Sequence, residues 1–324
     1  MSQSKLEAQN IIDLIKQGKS IQSLQTDDYP DPTKWHNYSA KAYELNLQAA
    51  RKKRKADMKR KHVAATSNED ILAMVELNHQ LADYALLLPI YSTMADFDSV
   101  LALAAKLPGS EPEIISHVGL YTMDFNRRVH QKIGRFERFN HFKVFSKLID
   151  AALLCYYRLN FISCYLTLLP VIEGIIIRWM GYSESDDKPE FEDIRKFFKN
   201  SHSRQPSPGN ILFHQVYAKA CDKILNEHFY KPTTTGTSYA NFNRHVASHL
   251  LNDSQFATRE NCIRLFLLLD TMTEIYHYES HEPDPRFSLS KEEVTLDFEI
   301  FKSVWLSNII QTAEQIILKD HLGF

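Results

Sequence analysis

Apolar residues recur three and four positions apart along most of this 324-residue chain, and this spacing is the strongest constraint on its fold. Such spacing places apolar side chains on one face of an α-helix, whereas a half-buried strand needs strict alternation, which the sequence lacks. Only nine glycines interrupt the pattern, which is few for a chain of this length. We therefore predict an all-α fold.

The predicted helices group into three regions. We expect an N-terminal helical region over residues 1–140, a helical bundle over 141–281 and a C-terminal helix over 282–324. Ser67 and Ser290 each precede an acidic residue by three positions, a spacing typical of the capping box that begins a helix. Proline-rich and glycine-containing clusters separate the helices.

Composition narrows the class of protein. The chain is long enough to bury a core without disulfides, and its four cysteines form no Cys-x-x-Cys pair and have apolar neighbours. We therefore expect them to be reduced core residues. The N-terminus has no apolar stretch behind a basic start, so we expect no secretory signal and a cytoplasmic location.

One segment is strongly basic, although the formal net charge of the whole chain is only -2. Eight cations lie within residues 51–61, and Asp57 is the only acid among them. A solvated stretch of a long helix explains such a run. The functional alternative is a phosphate-binding stripe. Its candidate substrate-binding residues are Arg51, Lys52, Arg54 and Lys55.

Residues 161–177 approach the length of a membrane span and contain one charged residue, Glu173. Pro170 and this carboxylate fall in the C-terminal half, where a charge in lipid is costly. We therefore expect a central helix of a soluble bundle and no membrane contact.

The Glu173 carboxylate in such an apolar helix needs a partner. Arg244 is one candidate, while pairing with Arg178 or exposure at the helix edge are the alternatives.

The cluster Asn243-Arg244-His245, with His249, suggests chemistry and follows a threonine-rich connector, residues 231–238. It opens a short predicted helix, and a helix start offers unpaired N–H groups and a positive dipole end that suit phosphate. His245 and His249 are four residues apart and share a face. Arg244 lies about 140° round the helix from His249, but its long side chain can reach toward the same anion.

These residue types match the cleavage of RNA by its own 2′-hydroxyl. The reaction needs a base near the 2′-oxygen, an acid near the leaving 5′-oxygen and a cation for the charge that builds on phosphorus. We expect His249 to be the acid–base group and Arg244 the fixed cation, because a guanidinium binds phosphate with two parallel donors and stays charged. We expect His245 and Asn243 to orient phosphate or ribose. This chemistry needs no metal and no other cofactor.

Residues 244–249 resemble the R-x4-6-H motif of HEPN domains, in which a polar residue such as His245 commonly follows the arginine. Paired apolar helices before the motif and a long apolar helix after it agree with this resemblance. The Leu-Pro-x-x-Glu-Gly stretch at 169–174 also resembles the upstream helix of such domains in bacterial abortive-infection-like proteins. The resemblance covers about residues 141–281. It implies a helical bundle that dimerises so that two motifs form one metal-independent ribonuclease site, often in toxin or anti-phage systems.

A second stretch, residues 135–141, also fits the arginine–histidine spacing. Its arginine is followed by Phe136, which is not polar, and the stretch lies outside the expected helix order. We interpret it as a chance match.

We predict a homodimeric endoribonuclease that leaves a 2′,3′-cyclic phosphate and does not cleave DNA, which lacks the attacking hydroxyl. Glu173 and the basic stripe are its candidate substrate-binding groups, and an antitoxin or regulatory protein is an expected partner. A non-catalytic RNA-binding or regulatory module is the first alternative; it would grip phosphates with Arg244 and residues 51–61, and its affinity would fall with salt. A helical interaction protein with neither property is the second.

Overall fold

The computed structural model describes residues 3–65, 68–89, 91–183, 189–199, 201–204, 211–233, 236–249, 251, 255–280, 289–310 and 312–318. Within these ranges the regular structure is helical and contains no strand, which confirms the all-α prediction. The chain divides into two compact units, residues 1–71 and 72–324. Each unit has its own hydrophobic core.

The first unit is built on two helices that pack together. α1 (Gln3–Lys16) is followed by α2 (Ile21–Ser23), a π-helical turn (Leu24–Asp28) and α3 (Pro32–Ala65). Pro32 occupies the first helical position, where its missing N–H removes no helical hydrogen bond. The core of this unit is small and comprises Ala8, Ile11, Leu24, Tyr29 and Ala42.

The basic stripe, residues 51–61, lies on α3, in agreement with the predicted polar, basic helix. At about 1.5 Å per residue this stretch is roughly 16 Å long. Lys52 is exposed. The side chains of Arg51, Arg54 and Lys55 lie outside the described part of the structure, so phosphate binding by the stripe stays a prediction.

The second unit contains most of the described helices. They are α4 (Asn68–Ala82), most of which belongs to this unit, α5 (Met94–Ala104), α6 (Glu111–Thr122), α7 (Phe125–Gln131), α8 (Asn140–Lys143), α9 (Ser146–Tyr157), α10 (Phe161–Trp179), α11 (Phe191–Arg195), α12 (Ile211–Ile224), α13 (Arg244–Ser248), α14 (Arg259–Ser280), α15 (Lys291–Leu306) and α16 (Ala313–Ile317). Ser290 and Glu293 form the predicted capping box of α15. The box predicted at Ser67 lies outside the described residues.

α14 runs through the centre of the second unit. Every residue from Asn261 to Tyr276 is buried, and the helix packs against α6, α10 and α12. Its apolar residues therefore do not form the single stripe that is typical of a surface helix. The charged side chains on this helix need partners inside the protein, because an uncompensated buried charge is strongly destabilising.

Ion pairs join α14 to the helices before it. Among the described residues these pairs are Arg128–Asp270, Arg135–Glu274, Arg264–Glu111 and Arg204–Glu279. Arg135 lies in the π-helical turn after α7 and donates two hydrogen bonds to the Glu274 carboxylate, at 3.1 and 3.0 Å. Both side chains are at most 3% exposed. Both bonds come from Nη2 of Arg135, and this charge-assisted contact ties the turn after α7 to α14.

α10 carries Glu173 near its C-terminal end. Among the described residues it is the one helix whose length and composition would allow a membrane span, but half of its apolar window is buried inside the protein. That burial suits the core helix that the sequence predicts. A Cβ atom at Gly174 would lie 2.6 Å from Cζ of Phe145, so a larger residue beside Glu173 would force the Phe145 ring to shift.

The four cysteines are free thiols, as predicted. Cys164, Cys221 and Cys262 are buried, and Cys155 is partly buried. Burial raises the pKa of the Cys164 and Cys221 thiols well above the ordinary value. These thiols therefore stay protonated and contribute to the core as small apolar groups.

The expected region boundaries at residues 140 and 281 fall inside the second unit. α6 packs on α14, and α15 packs on α7 and α9. Phe301 on α15 is 2% exposed. Helices before residue 140 and after residue 281 therefore share one core with the bundle between them, and helical periodicity alone does not reveal which helices share a core.

We predict that Glu274→Gln lowers the free energy of unfolding by about 3 to 5 kcal/mol, because the buried Arg135 charge loses the opposite charge of Glu274. Urea denaturation followed by circular dichroism measures this loss. Glu299→Gln is the control, because it removes one side of the exposed Lys302–Glu299 pair and is expected to change little. Equal stability of the two variants would contradict the structural role of the buried pair.

Candidate functional site

The chain between α12 and α13 frames the candidate site, and His228 anchors it. The His228 ring is buried and bonds through Nε2 to the carbonyl of Ala82 at 2.9 Å, while its Nδ1 accepts from the amide of Tyr239 at 3.4 Å. Burial lowers the pKa of His228 below its ordinary value. The ring is therefore neutral near pH 7 and keeps Nδ1 as an acceptor. The His228 ring thus ties the chain before the connector to Ala82 and the chain after it to Tyr239.

The connector turns sharply just before α13. Ala240 and Asn241 both adopt left-handed backbone conformations, with φ of 49° and 55°. For residues other than glycine this conformation costs roughly 1 to 2 kcal/mol each. The buried side-chain amide of Asn261, at the start of α14, donates through Nδ2 to the Ala240 carbonyl at 2.8 Å and so stabilises the turn. A residue of α14 thereby helps to position the start of α13.

Asn243 is the N-terminal cap of α13. Its Oδ1 accepts from the amide of Val246 at 3.1 Å, and its Nδ2 donates to the carbonyls of His228 and Lys231 at 3.1 and 2.8 Å. The residue is 1% exposed. The structure therefore gives Asn243 a positioning role inside the protein, in place of the phosphate or ribose contact expected from the sequence.

Arg244 pairs with Glu173, which confirms the first of the partners considered for this carboxylate. Nε of Arg244 lies 3.0 Å from Oε2, and Nη2 lies 3.4 Å from Oε1. The carboxylate thus occupies one edge of the planar guanidinium. Nη1 and the second hydrogen of Nη2 point away from it by guanidinium geometry. Since the arginine side chain is 32% exposed, this second edge is open to a ligand.

The two histidines form an exposed pair. The ring centroids of His245 and His249 lie 4.5 Å apart, with the rings edge to face at 62°. Both residues are exposed. His249 ends α13, where its amide donates to the His245 carbonyl at 3.2 Å. The predicted shared face of residues 245 and 249 is confirmed.

Arg244 and His249 stand at opposite ends of one short helix. The structure joins Arg244 to Glu173 and His245 to His249. His249 follows Arg244 by five positions, which corresponds to about 7.5 Å of rise and about 140° of rotation. Arg244 therefore lies next to the His245–His249 pair along the helix, but the two groups do not contact a common residue.

Tyr230 is a neighbour of this site that no sequence pattern predicts. It is 2% exposed, and among the described residues its hydroxyl has no hydrogen-bond partner. Burial raises the pKa of the phenol well above its ordinary value, the nearby Glu173 carboxylate raises it further, and Arg244 lowers it. A neutral phenol thus lies close to the Glu173–Arg244 pair.

The second arginine–histidine match does not form a comparable site. Arg135 is buried in its ion pair with Glu274, so its guanidinium presents no exposed edge. His141 stacks edge to face on Tyr276 instead of on a second histidine. This arrangement agrees with a chance match.

In the described ranges, no group of three His, Cys, Asp or Glu side chains lies close enough together to hold a metal ion.

Comparisons of the chain with known protein families, with curated proteins and with solved structures give no match. The family resemblance of residues 244–249 therefore rests on the motif and its helical context alone.

We predict that Asn243→Ala lowers the free energy of unfolding by about 2 kcal/mol, because it removes a helix cap and leaves two carbonyls without their donor. Asn243→Asp separates the two effects, since a carboxylate caps the helix but cannot donate. We expect the aspartate variant to be destabilised as well, as measured by urea denaturation. Parental stability in Asn243→Asp would show that the two carbonyl contacts contribute nothing.

Proposed function

We propose that this chain is a metal-independent endoribonuclease of the HEPN type, which cleaves RNA by attack of a 2′-hydroxyl on the adjacent phosphate. One observation carries the proposal. The Arg244 guanidinium is held on one edge by Glu173 and open on the other, at the start of a helix that displays the exposed His245–His249 pair. This set contains the residue types that the reaction requires.

Glu173 acts in this proposal as a positioning residue for Arg244. A carboxylate repels phosphate, so direct contact between Glu173 and RNA is unfavourable. Its ion pair with Arg244 instead restricts the rotation of a long side chain before RNA binds, which reduces the entropy lost on binding. The open guanidinium edge then donates to the scissile phosphate and stabilises the charge that builds on it.

The histidines transfer the protons. One neutral imidazole removes the proton from the 2′-hydroxyl, and the 2′-oxygen attacks phosphorus. The bond from phosphorus to the 5′-oxygen breaks, and a protonated imidazole donates a proton to that oxygen. The products are a 2′,3′-cyclic phosphate and a 5′-hydroxyl. His249 is the acid–base group, and His245, whose ring touches it, orients it.

A second copy of the chain completes the site. Arg244 and His249 lie at opposite ends of α13, and a base and an acid are needed on either side of one phosphate. A twofold axis beside α13 places the arginine of one protomer opposite the histidine of its partner. The homodimer thereby supplies two imidazoles and two guanidiniums.

The basic stripe extends the interaction with RNA. Arg51, Lys52, Arg54 and Lys55 contact backbone phosphates outside the cleavage point in this proposal, without reading sequence. A ribonuclease without evident base specificity harms its own cell unless it is restrained. We therefore place the protein in a toxin or anti-phage system, with an antitoxin or regulatory protein as its partner.

A non-catalytic RNA-binding or regulatory module is the second candidate, and the ion pair is the observation that favours it. Glu173 already satisfies one edge of Arg244 and offsets its charge, as in a purely structural contact. Such a protein would bind RNA with an affinity that falls steeply with salt, and it would form no product.

We predict that the purified protein cleaves mixed RNA in the presence of EDTA, and that Arg244→Ala and His249→Ala each abolish cleavage. Arg244→Lys is expected to lose most of the activity, because an ammonium keeps the charge but not the planar pair of donors. Gel electrophoresis of end-labelled RNA measures the rates.

Two exposed residues provide matched controls. Arg158→Ala and His36→Ala remove the same side chains far from residues 244–249 in sequence and are expected to leave cleavage unchanged. Intact RNA with the parent protein, together with salt-dependent RNA binding, would favour the non-catalytic module. Cleavage that survives both Arg244→Ala and His249→Ala would disprove the assignment of the site.

A further inference from the structure

A second candidate site lies in the second unit, at the opposite end of α10 from Glu173. A cavity of about 1020 Å³ opens there between the ends of α6, α9 and α15 and the starts of α7, α10 and α14. Its volume is close to the upper end of the usual range for small-molecule pockets, roughly 300 to 1000 Å³. Phe161, which lines the cavity, precedes Glu173 by about 18 Å along the helix axis. The cavity is therefore distinct from the proposed nuclease site.

The walls of this cavity are mainly apolar. Five aromatic rings line it, those of Phe125, Tyr156, Tyr157, Phe161 and Trp305. Three of the lining residues also expose apolar surface, since Leu120, Trp305 and Ile309 are 68%, 50% and 79% exposed. Exposed apolar side chains gathered around a cavity are typical of a binding site.

One cation in the lining, Arg259, is available to a ligand. It is exposed at the first position of α14 and donates a hydrogen bond to the phenol of Tyr156, with Glu260 a smaller electrostatic influence. Burial raises the pKa of Tyr156 to about 12, so the phenol is neutral near pH 7 and does not offset the arginine charge. The positive end of the α14 dipole adds to this charge.

Asn308 adds an unused acceptor to the lining. Its Nδ2 donates to the carbonyl of Tyr157 at 2.5 Å. Its Oδ1 is buried and has no hydrogen-bond partner among the described residues. A buried acceptor without a donor is costly, and a hydroxyl or N–H group on a ligand would satisfy it.

The charges around the cavity define the kind of ligand that fits. Asp124 and Glu260 also line it, but each is compensated locally. Asp124 caps α7 by accepting from the amide of Arg127 at 2.9 Å, and Glu260 lies at the positive end of α14. Arg259 has only a neutral phenol as its hydrogen-bond partner and Glu260 as a smaller electrostatic influence. The two carboxylates would repel a ligand with several negative charges, so a single negative charge fits best.

We propose that this cavity binds a small amphipathic organic monoanion, with its carboxylate on Arg259 and its apolar aromatic or acyl body among the aromatic rings. The proposal stands apart from the nuclease proposal, because it uses none of the residues of that site. Binding here contacts α10 and α14 together, the two helices that carry Glu173 and hold the connector before α13.

Isothermal titration calorimetry of the full chain with 1-naphthoate and with octanoate tests this site and distinguishes an aromatic from an acyl body. We expect at least one acid to bind with one site per chain. Arg259→Gln is expected to weaken binding by roughly tenfold or more, because it removes a charge-assisted hydrogen bond. Arg158→Gln is the matched control, since Arg158 is exposed nearby but does not line the cavity.

Two further measurements separate the cavity from general surface adsorption. The neutral amides, 1-naphthamide and octanamide, are expected to bind the parent protein as weakly as the acids bind Arg259→Gln. Leu120→Trp, which narrows the mouth without changing Arg259, is expected to weaken the acids as well. Binding of neither acid, equal binding by Arg259→Gln and the parent, or equal binding of acid and amide would each overturn the proposal.

Discussion

A helix that is buried on every side can carry charges only where other helices bring opposite charges to it. α14 carries Asp270 and Glu274 inside the core, and arginines from α7 and the turn after it meet both. A buried charge without its partner is strongly destabilising, so these two pairs favour the one register of α7 along α14 in which both arginines meet their carboxylates. α6, α10 and α12 pack around the same helix.

Contacts with α14 and α10 determine the geometry of the candidate site. Asn261 on α14 stabilises the left-handed turn at Ala240, and Asn243 then caps α13 while it holds the connector by two carbonyls. α10, packed on α14, brings Glu173 to Arg244 from the other side. The arginine is thus positioned by two elements of the core, although the helix that carries it has only five residues. A rigid support of this kind suits a group that must meet a phosphate in one orientation.

Periodicity and capping patterns predict much of the fold, because they are local properties of the chain. They give the basic helix, the apolar helix that carries Glu173 and the long helix after the motif, and the helix order makes Arg244 a candidate partner for that carboxylate. Long-range burial is not a local property. Arg128 and Arg135 look like part of a polar helix, yet they are core residues, and Asn243 looks like a ligand contact, yet it is a buried cap. Tyr230 and the shared core across residues 140 and 281 leave no mark in the sequence for the same reason.

The chemistry of the cut ends tests the proposed nuclease most directly. RNA treated with the protein in EDTA would be analysed by mass spectrometry, beside the same RNA with a single 2′-deoxy nucleotide at a cleaved position. A 2′,3′-cyclic phosphate and a 5′-hydroxyl at each cut, with no cut after the deoxy nucleotide, are expected, because the 2′-oxygen is the nucleophile. Ends with a 3′-hydroxyl and a 5′-phosphate, or a cut after the deoxy nucleotide, would contradict the mechanism built on Arg244 and His249.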